Sequence, residues 1–369
     1  MSATLYPILA RARDIEIQVG QLDDFELGPA AKCDVDLVTT DPGWSPYCFD
    51  FDRGEAVFVR LPDTHDLSSA PFMGIHQFNE ATHALTMGLH AFVDLSHTLA
   101  DPDRVILVFG MGRCGTTLAQ AALNRVPGIL SLSEPDVFSD LVMSREACPP
   151  EHVVPLMQAA TRFLFAPLNR KGAATLAIKF RSQSLFDAQD LHAALPDAAK
   201  IFMYRNAHSW ALSFFRMIQA VGGPMELDIV SRDFIWNILS AGQDLEYLAP
   251  YTQLDAPHLE EVLAAGWVLH VETYLRLHQG GMPFLAMSYD ELNAGPDAAI
   301  AAILAHAGLN PDDAHFAGPA FETDSQKNSP LARRESRPTF TEQAYARLKK
   351  ALSTQPLPGD ITLPDCRTA

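Results

Sequence analysis

The residues best suited to chemistry lie together in Phe109-Gly110-Met111-Gly112-Arg113-Cys114-Gly115-Thr116-Thr117-Leu118, between an apolar run and an amphipathic one. Its three glycines allow a tight turn with successive N–H groups aimed inward, and a following helix start adds partial positive charge. Gly112, Arg113, Cys114, Gly115, Thr116 and Thr117 therefore read as an anion cradle. In the nucleoside-triphosphate version of such a loop a Lys follows the last glycine, and a Ser or Thr hydroxyl holds Mg²⁺. Thr116 stands where that Lys would be, and the cation has moved forward to Arg113. A shorter 5′ anionic group fits better than a triphosphate. The same residues also spell G-x-G-x-x-G, and Glu134 falls where a ribose-binding acid belongs, so a dinucleotide site is the rival reading.

A second anchor lies in Ile201-Phe202-Met203-Tyr204-Arg205-Asn206-Ala207, again an apolar run leading into a helical pattern. Ligands of open α/β sheets bind off the carboxyl ends of strands, where Arg205 sits. Ser213 lies two helical turns further on, about 12 Å of axis, and could close on the same anion.

Arg-Cys-Gly-Thr-Thr-Leu after one strand and Tyr-Arg-Asn-Ala with a Ser eight residues beyond the Arg together resemble the sulfotransferases that use 3′-phosphoadenosine 5′-phosphosulfate. Leu176–Arg181, Leu195-Pro196-Asp197-Ala198 and Tyr289-Asp290-Glu291-Leu292 look similar too, so the resemblance runs from about residue 104 to 340. It implies a P-loop NTPase-like α/β sandwich around a mostly parallel sheet. It also implies that the loop binds the 5′-phosphosulfate and that Arg205 and Ser213 bind the 3′-phosphate. Arg113 stands where small-phenol members carry Lys, and Arg181 where they carry His. The arginine form is closer to the carbohydrate, protein-tyrosine and bacterial branches, in which a carboxylate soon after the first helix is the candidate base. Glu134 occupies that place, although an acid beside Pro135 also suits a helix start.

The implied reaction is in-line sulfuryl transfer to a hydroxyl or amine of a small-molecule or carbohydrate acceptor. Glu134 would be the general base, with Arg113 and Lys179 as charge stabilisers and no metal. Ser325 and Lys327, in a late segment that also carries Arg333, Arg334 and Arg337, would close over the nucleotide. A nicotinamide- or flavin-dependent oxidoreductase built on the same glycines, and a non-catalytic nucleotide-binding protein, are the alternatives.

The elements that must position these groups follow from periodicity. Short apolar runs at 105–109, 129–132, 174–178, 200–204 and 284–288 alternate with helical patterns near 115–126, 136–146, 151–169, 184–194, 207–220, 229–247, 257–279, 295–308 and 341–353. Residues 1–103 read as a separate N-terminal α+β extension to the α/β domain 104–369. The extension has a hairpin around Asp52-Arg53-Gly54 and one long helix from Gly74 to Leu99. His76, His83, His90 and His97 would line one flank of that helix, too far apart to share a metal.

Composition limits the partners. With 27 Lys and Arg against 45 Asp and Glu the formal charge is −18, which disfavours nucleic acid and anionic membranes. Many of the basic residues nevertheless fall in the motif segments, a focus that can attract one small anion within a Debye length of about 8 Å. Five Cys with no C-x-x-C pair, no membrane-length apolar run and no leader pattern fit a cytoplasmic protein.

Overall fold

The computed structural model describes residues 2–13, 18–62, 66–166, 172–220, 235–236, 239–240, 258–327, 338–353 and 362–363. Along the chain come β1 (Ser2–Arg11), β2 (Phe25–Leu27), β3 (Ala31–Asp34), α1 (Leu37–Thr40), β4 (Trp44–Asp50), β5 (Glu55–Arg60), α2 (Met73–Glu80), β6 (His83–Gly88) and α3 (Leu89–Ser96). They are followed by β7 (Arg104–Gly110), α4 (Thr116–Leu123), β8 (Ile129–Ser133), α5 (Asp136–Met143), α6 (Pro150–Phe165), β9 (Thr175–Lys179) and α7 (Ala188–Ala194). The remainder holds β10 (Ala199–Tyr204), α8 (Ala207–Ala220), α9 (Leu259–Gln279), β11 (Phe284–Ser288), α10 (Tyr289–Ala294), α11 (Pro296–His306) and α12 (Glu342–Ser353).

Two sheets result. One has the order β2-β1-β6-β5-β4 with β3 also on β1, and its paired strands run antiparallel. The other has five strands in the order β11-β10-β7-β9-β8, with β10 parallel to β11 and β8 parallel to β9. The chain is thus an α/β protein, as the sequence predicts, and the N-terminal extension expected to hold one hairpin carries a whole antiparallel sheet. Its parallel strands are uninterrupted apolar runs because helix-covered sheets bury both faces.

The long helix expected from Gly74 to Leu99 does not form. Residues 83–88 are instead the central strand β6, flanked by β1 and β5. Ala84, Leu85, Thr86 and Met87 are all buried, so β6 shows no alternation, and its Leu85 falls by chance on a helical spacing. The four histidines therefore lie on three elements: α2, β6, and α3 with its C-cap.

The chain divides into two compact units. The first comprises Met1–Leu107, Gln120–Phe180 and Asp187–Ala198. In it Phe58, Phe92 and Phe163 form a ring cluster with centroids 4.8–5.7 Å apart, joining β5, α3 and α6. The second comprises Val108–Ala119, Arg181–Phe186 and Ala199–Ala369. Its core stacks Phe202 of β10 on Tyr274 of α9 at 4.5 Å, with Phe284 of β11 edge-on at 5.6 Å. Among the described residues no helix is long and apolar enough to cross a membrane.

Candidate functional site

In the second unit β7 ends at Gly110, and the loop turns on two glycines in the left-handed region, Gly112 (φ 67°) and Gly115 (φ 89°). Gly110 is held closely: a β-carbon there would lie 2.7 Å from Thr116 Cγ2 and 2.8 Å from Cys114 Sγ. Arg113 adopts φ 49°, an uncommon conformation that costs an L-residue on the order of 1–2 kcal/mol and is kept only where surroundings enforce it.

Those surroundings are side chains from β10 and α8. Trp210 Nε1 donates to the carbonyls of Met111 (3.0 Å) and Gly112 (2.9 Å), and Arg205 Nη1 donates to that of Arg113 (3.4 Å). In a trans peptide the N–H points opposite to the C=O. The amides of Gly112, Arg113 and Cys114 consequently face away from Trp210 and Arg205 and are turned to the other side of the loop. Cys114 is fully buried with its thiol on the Met203 carbonyl at 3.2 Å, so it serves as a small turn residue.

The register of β10 and β11 pairs Tyr204 with Ser288, which sets the next residues, Arg205 and Tyr289, side by side. The Arg205 guanidinium lies 4.2 Å over the Tyr289 ring and donates from Nε to Ser209 Oγ at 3.1 Å. Arg113 reaches Ser213 Oγ at 3.4 Å and Gln326 Oε1 at 3.0 Å. Ser213 is thus brought to Arg113, and Arg205 takes Ser209. Burial and the nearby Arg205 charge both pull the Arg113 guanidinium below its ordinary pKa. Two cations pressed together in this way are relieved by an anion.

Ser325 and Lys327 flank Gln326 in a turn closed by Lys327 N–H on the Asp324 carbonyl (3.0 Å). Arg333, Arg334 and Arg337 lie outside the described residues, as does most of the expected helix at 229–247. Beside Ser209 a cavity of about 360 Å³ is lined by His208, Leu212, Phe340 and Tyr345 among others.

The first unit holds the other candidates. Parallel pairing of β8 and β9 sets Ser133 opposite Lys179, so Glu134 emerges beside the end of β9. Its N–H donates to the Lys179 carbonyl at 2.6 Å, its carboxylate pairs with Lys179 Nζ, and its backbone is left-handed at φ 52°. The side chains are 14 % and 5 % exposed, and Lys179 Nζ lies 5.5 Å above the Phe72 ring. A buried ion pair is weak evidence for stability, because desolvation offsets its attraction. Here it is combined with a left-handed backbone at a strand end, a conformation that persists only where the surroundings enforce it.

Sequence reading missed Trp210, Ser209 and Gln326. Trp210 alone carried a signal, as an indole one turn into the helix after Arg205 that must find an acceptor when buried.

No protein-family model matches the sequence, and no curated protein matches it. Solved structures do. A sulfotransferase of Mycobacterium avium, STF9, aligns at 14 % identity over 88 % of this chain and 89 % of its own, with a TM-score of 0.44. STF1 of Mycobacterium tuberculosis gives 14 % identity, 70 % and 79 % coverage and 0.38. Mouse SULT7A1, crystallised with PAP, gives 12 %, 73 % and 91 %, and 0.38. At these scores the functional reading rests on the residues of this chain.

Proposed function

We propose that the protein is a sulfotransferase that takes a sulfuryl group from 3′-phosphoadenosine 5′-phosphosulfate and passes it to a hydroxyl or amine of a small-molecule or carbohydrate acceptor. The observation that carries this reading is the glycine loop with its carbonyls bonded by Trp210 and Arg205, its amides turned the other way, and Arg113 and Arg205 crowded beside it. Gly112, Arg113, Cys114, Gly115, Thr116 and Thr117 would hold the 5′ end. Arg205 and Ser213, with Ser209, would hold the 3′-phosphate, and Ser325 and Lys327 would close over the nucleotide.

In the reaction Glu134 takes the acceptor proton as the acceptor oxygen bonds to sulfur. The bond from sulfur to the phosphate oxygen breaks, and its electron pair stays on that oxygen. Arg113 and Lys179 meet the developing charge. The cations and loop amides supply the positive field that Mg²⁺ gives a kinase, so the reaction needs no metal. We place the enzyme in the cytoplasm.

Two measurements test the reading. Calorimetry with 3′,5′-adenosine bisphosphate should show binding and NAD none; the reverse would establish the dinucleotide alternative. Turnover of labelled donor with a panel of alcohols, phenols and amines should yield a sulfated product. Bisphosphate binding without turnover across the panel would favour a non-catalytic nucleotide-binding protein.

A further inference from the structure

Residues of the N-terminal part of the chain adjoin the Glu134–Lys179 pair. Four consecutive residues ahead of α2 and at its start, Pro71-Phe72-Met73-Gly74, bear on it at three points within the first unit. The Pro71 carbonyl accepts the hydroxyl of Ser133, the residue before Glu134, at 2.5 Å. The buried Phe72 ring lies beneath Lys179 Nζ. Gly74 leaves room for the Asp136 carboxylate, which a β-carbon at position 74 would overlap. Asp136 is itself fully buried at the start of α5, two residues after Glu134, and accepts the Gly20 N–H at 3.0 Å. One turn later Asp140 accepts the Phe49 N–H of β4 at 2.6 Å. Glu134, left-handed at φ 52°, therefore sits between two fixed points, with Ser133 bonded on one side and Asp136 on the other.

We infer that Phe72, Gly74 and Asp136 are positioning residues for the Glu134–Lys179 pair, so that the N-terminal sheet region is part of the catalytic apparatus. The inference deepens the sulfotransferase reading and rests on it for the reaction concerned. It explains two otherwise costly features. A buried acid is spent on the Gly20 amide, and a glycine is used inside α2, where alanine would favour the helix by about 1 kcal/mol.

The test uses the full chain carrying Phe72→Leu, Phe72→Tyr, Gly74→Ala or Asp136→Asn, each checked for cooperative melting. Phe72→Leu should lower kcat at least tenfold and move the acidic limb of its pH profile, with bisphosphate affinity held within twofold; Phe72→Tyr, which restores the ring, should recover most of kcat. Gly74→Ala and Asp136→Asn should act likewise. If Gly74→Ala does not fold, Phe72→Leu decides. A second readout does not depend on turnover: the carboxyl ¹³C resonance of Glu134, assigned by its loss in Glu134→Gln, should titrate at a midpoint shifted by more than half a pH unit in Phe72→Leu. An unchanged midpoint and pH profile in folded Phe72→Leu and Asp136→Asn would overturn the inference. Should the wild-type protein bind no bisphosphate, the sulfotransferase reading falls while the Glu134 titration still decides the positioning role.

Discussion

Arg205 donates to the main-chain carbonyl of Arg113 at 3.4 Å, so one cation of the proposed anion site props the strained backbone of the other. The two arginines are therefore coupled twice, through this bond and through their mutual repulsion. Binding at either should tighten the other. Arg205→Ala is expected to weaken 3′,5′-adenosine bisphosphate binding by about 1.5–3 kcal/mol, the worth of a charge-assisted bond, in isothermal calorimetry. An unchanged affinity would remove Arg205 from the site.

Glu134→Gln keeps the shape of the side chain and removes its basicity. Turnover of labelled donor should fall by roughly 10²–10⁴ with bisphosphate affinity unaltered. A wild-type rate across near-neutral pH would mean that another group takes the proton.

Gly115 combines a left-handed φ of 89° with the Tyr289 ring, whose Cδ2 would lie 2.8 Å from an added β-carbon. Gly115→Ala should cost about 1–3 kcal/mol of stability in denaturant unfolding and weaken anion binding with it.

Trp210→Phe preserves most of the ring volume but leaves the Met111 and Gly112 carbonyls without their shared donor. A loss of about 1–3 kcal/mol is expected in chemical denaturation, together with weaker bisphosphate binding. Loss of stability alone would show that the loop keeps its shape without the indole.

Burial pushes the Asp140 carboxyl up to about 7, with Asp136 and Asp50 adding to the rise while the Phe49 amide and Ser144 oppose it. In the unfolded chain it ionises near ~3.9. The folded state thus holds the extra proton between these values, and its stabilising contribution, full below pH 4, is lost as pH rises through 7. His270, drawn down to about 4 by burial, acts with the opposite sign below pH 6.5. Asp140→Asn should flatten the decline in melting temperature between pH 5 and 8 relative to wild type, while His270 titrates equally in both proteins.

Much of the candidate site is legible in the sequence because it is local. The glycines, Arg113 and Arg205 stand next to uninterrupted apolar strands, and a parallel strand covered on both faces announces itself as such a run. The same burial concealed β6, whose residues 84–87 are apolar or small without alternation and lie between two helical stretches. Ser213 bonding Arg113, Gln326 meeting the same guanidinium 213 positions away, and Phe72 beneath Lys179 are products of strand register and long-range packing. No local spacing encodes them.

The first compact unit gathers its residues from as far along the chain as Ala198, while the second already claims Val108–Ala119. During synthesis the strands of the N-terminal sheet emerge before the rest of their unit, which is not complete until Ala198 has been made. Until α5 is made, donors such as the Gly20 and Phe49 amides wait for Asp136 and Asp140. Co-translational folding of this chain should accordingly proceed late and in one long step, with the exposed strands of the nascent sheet the part most in need of a chaperone.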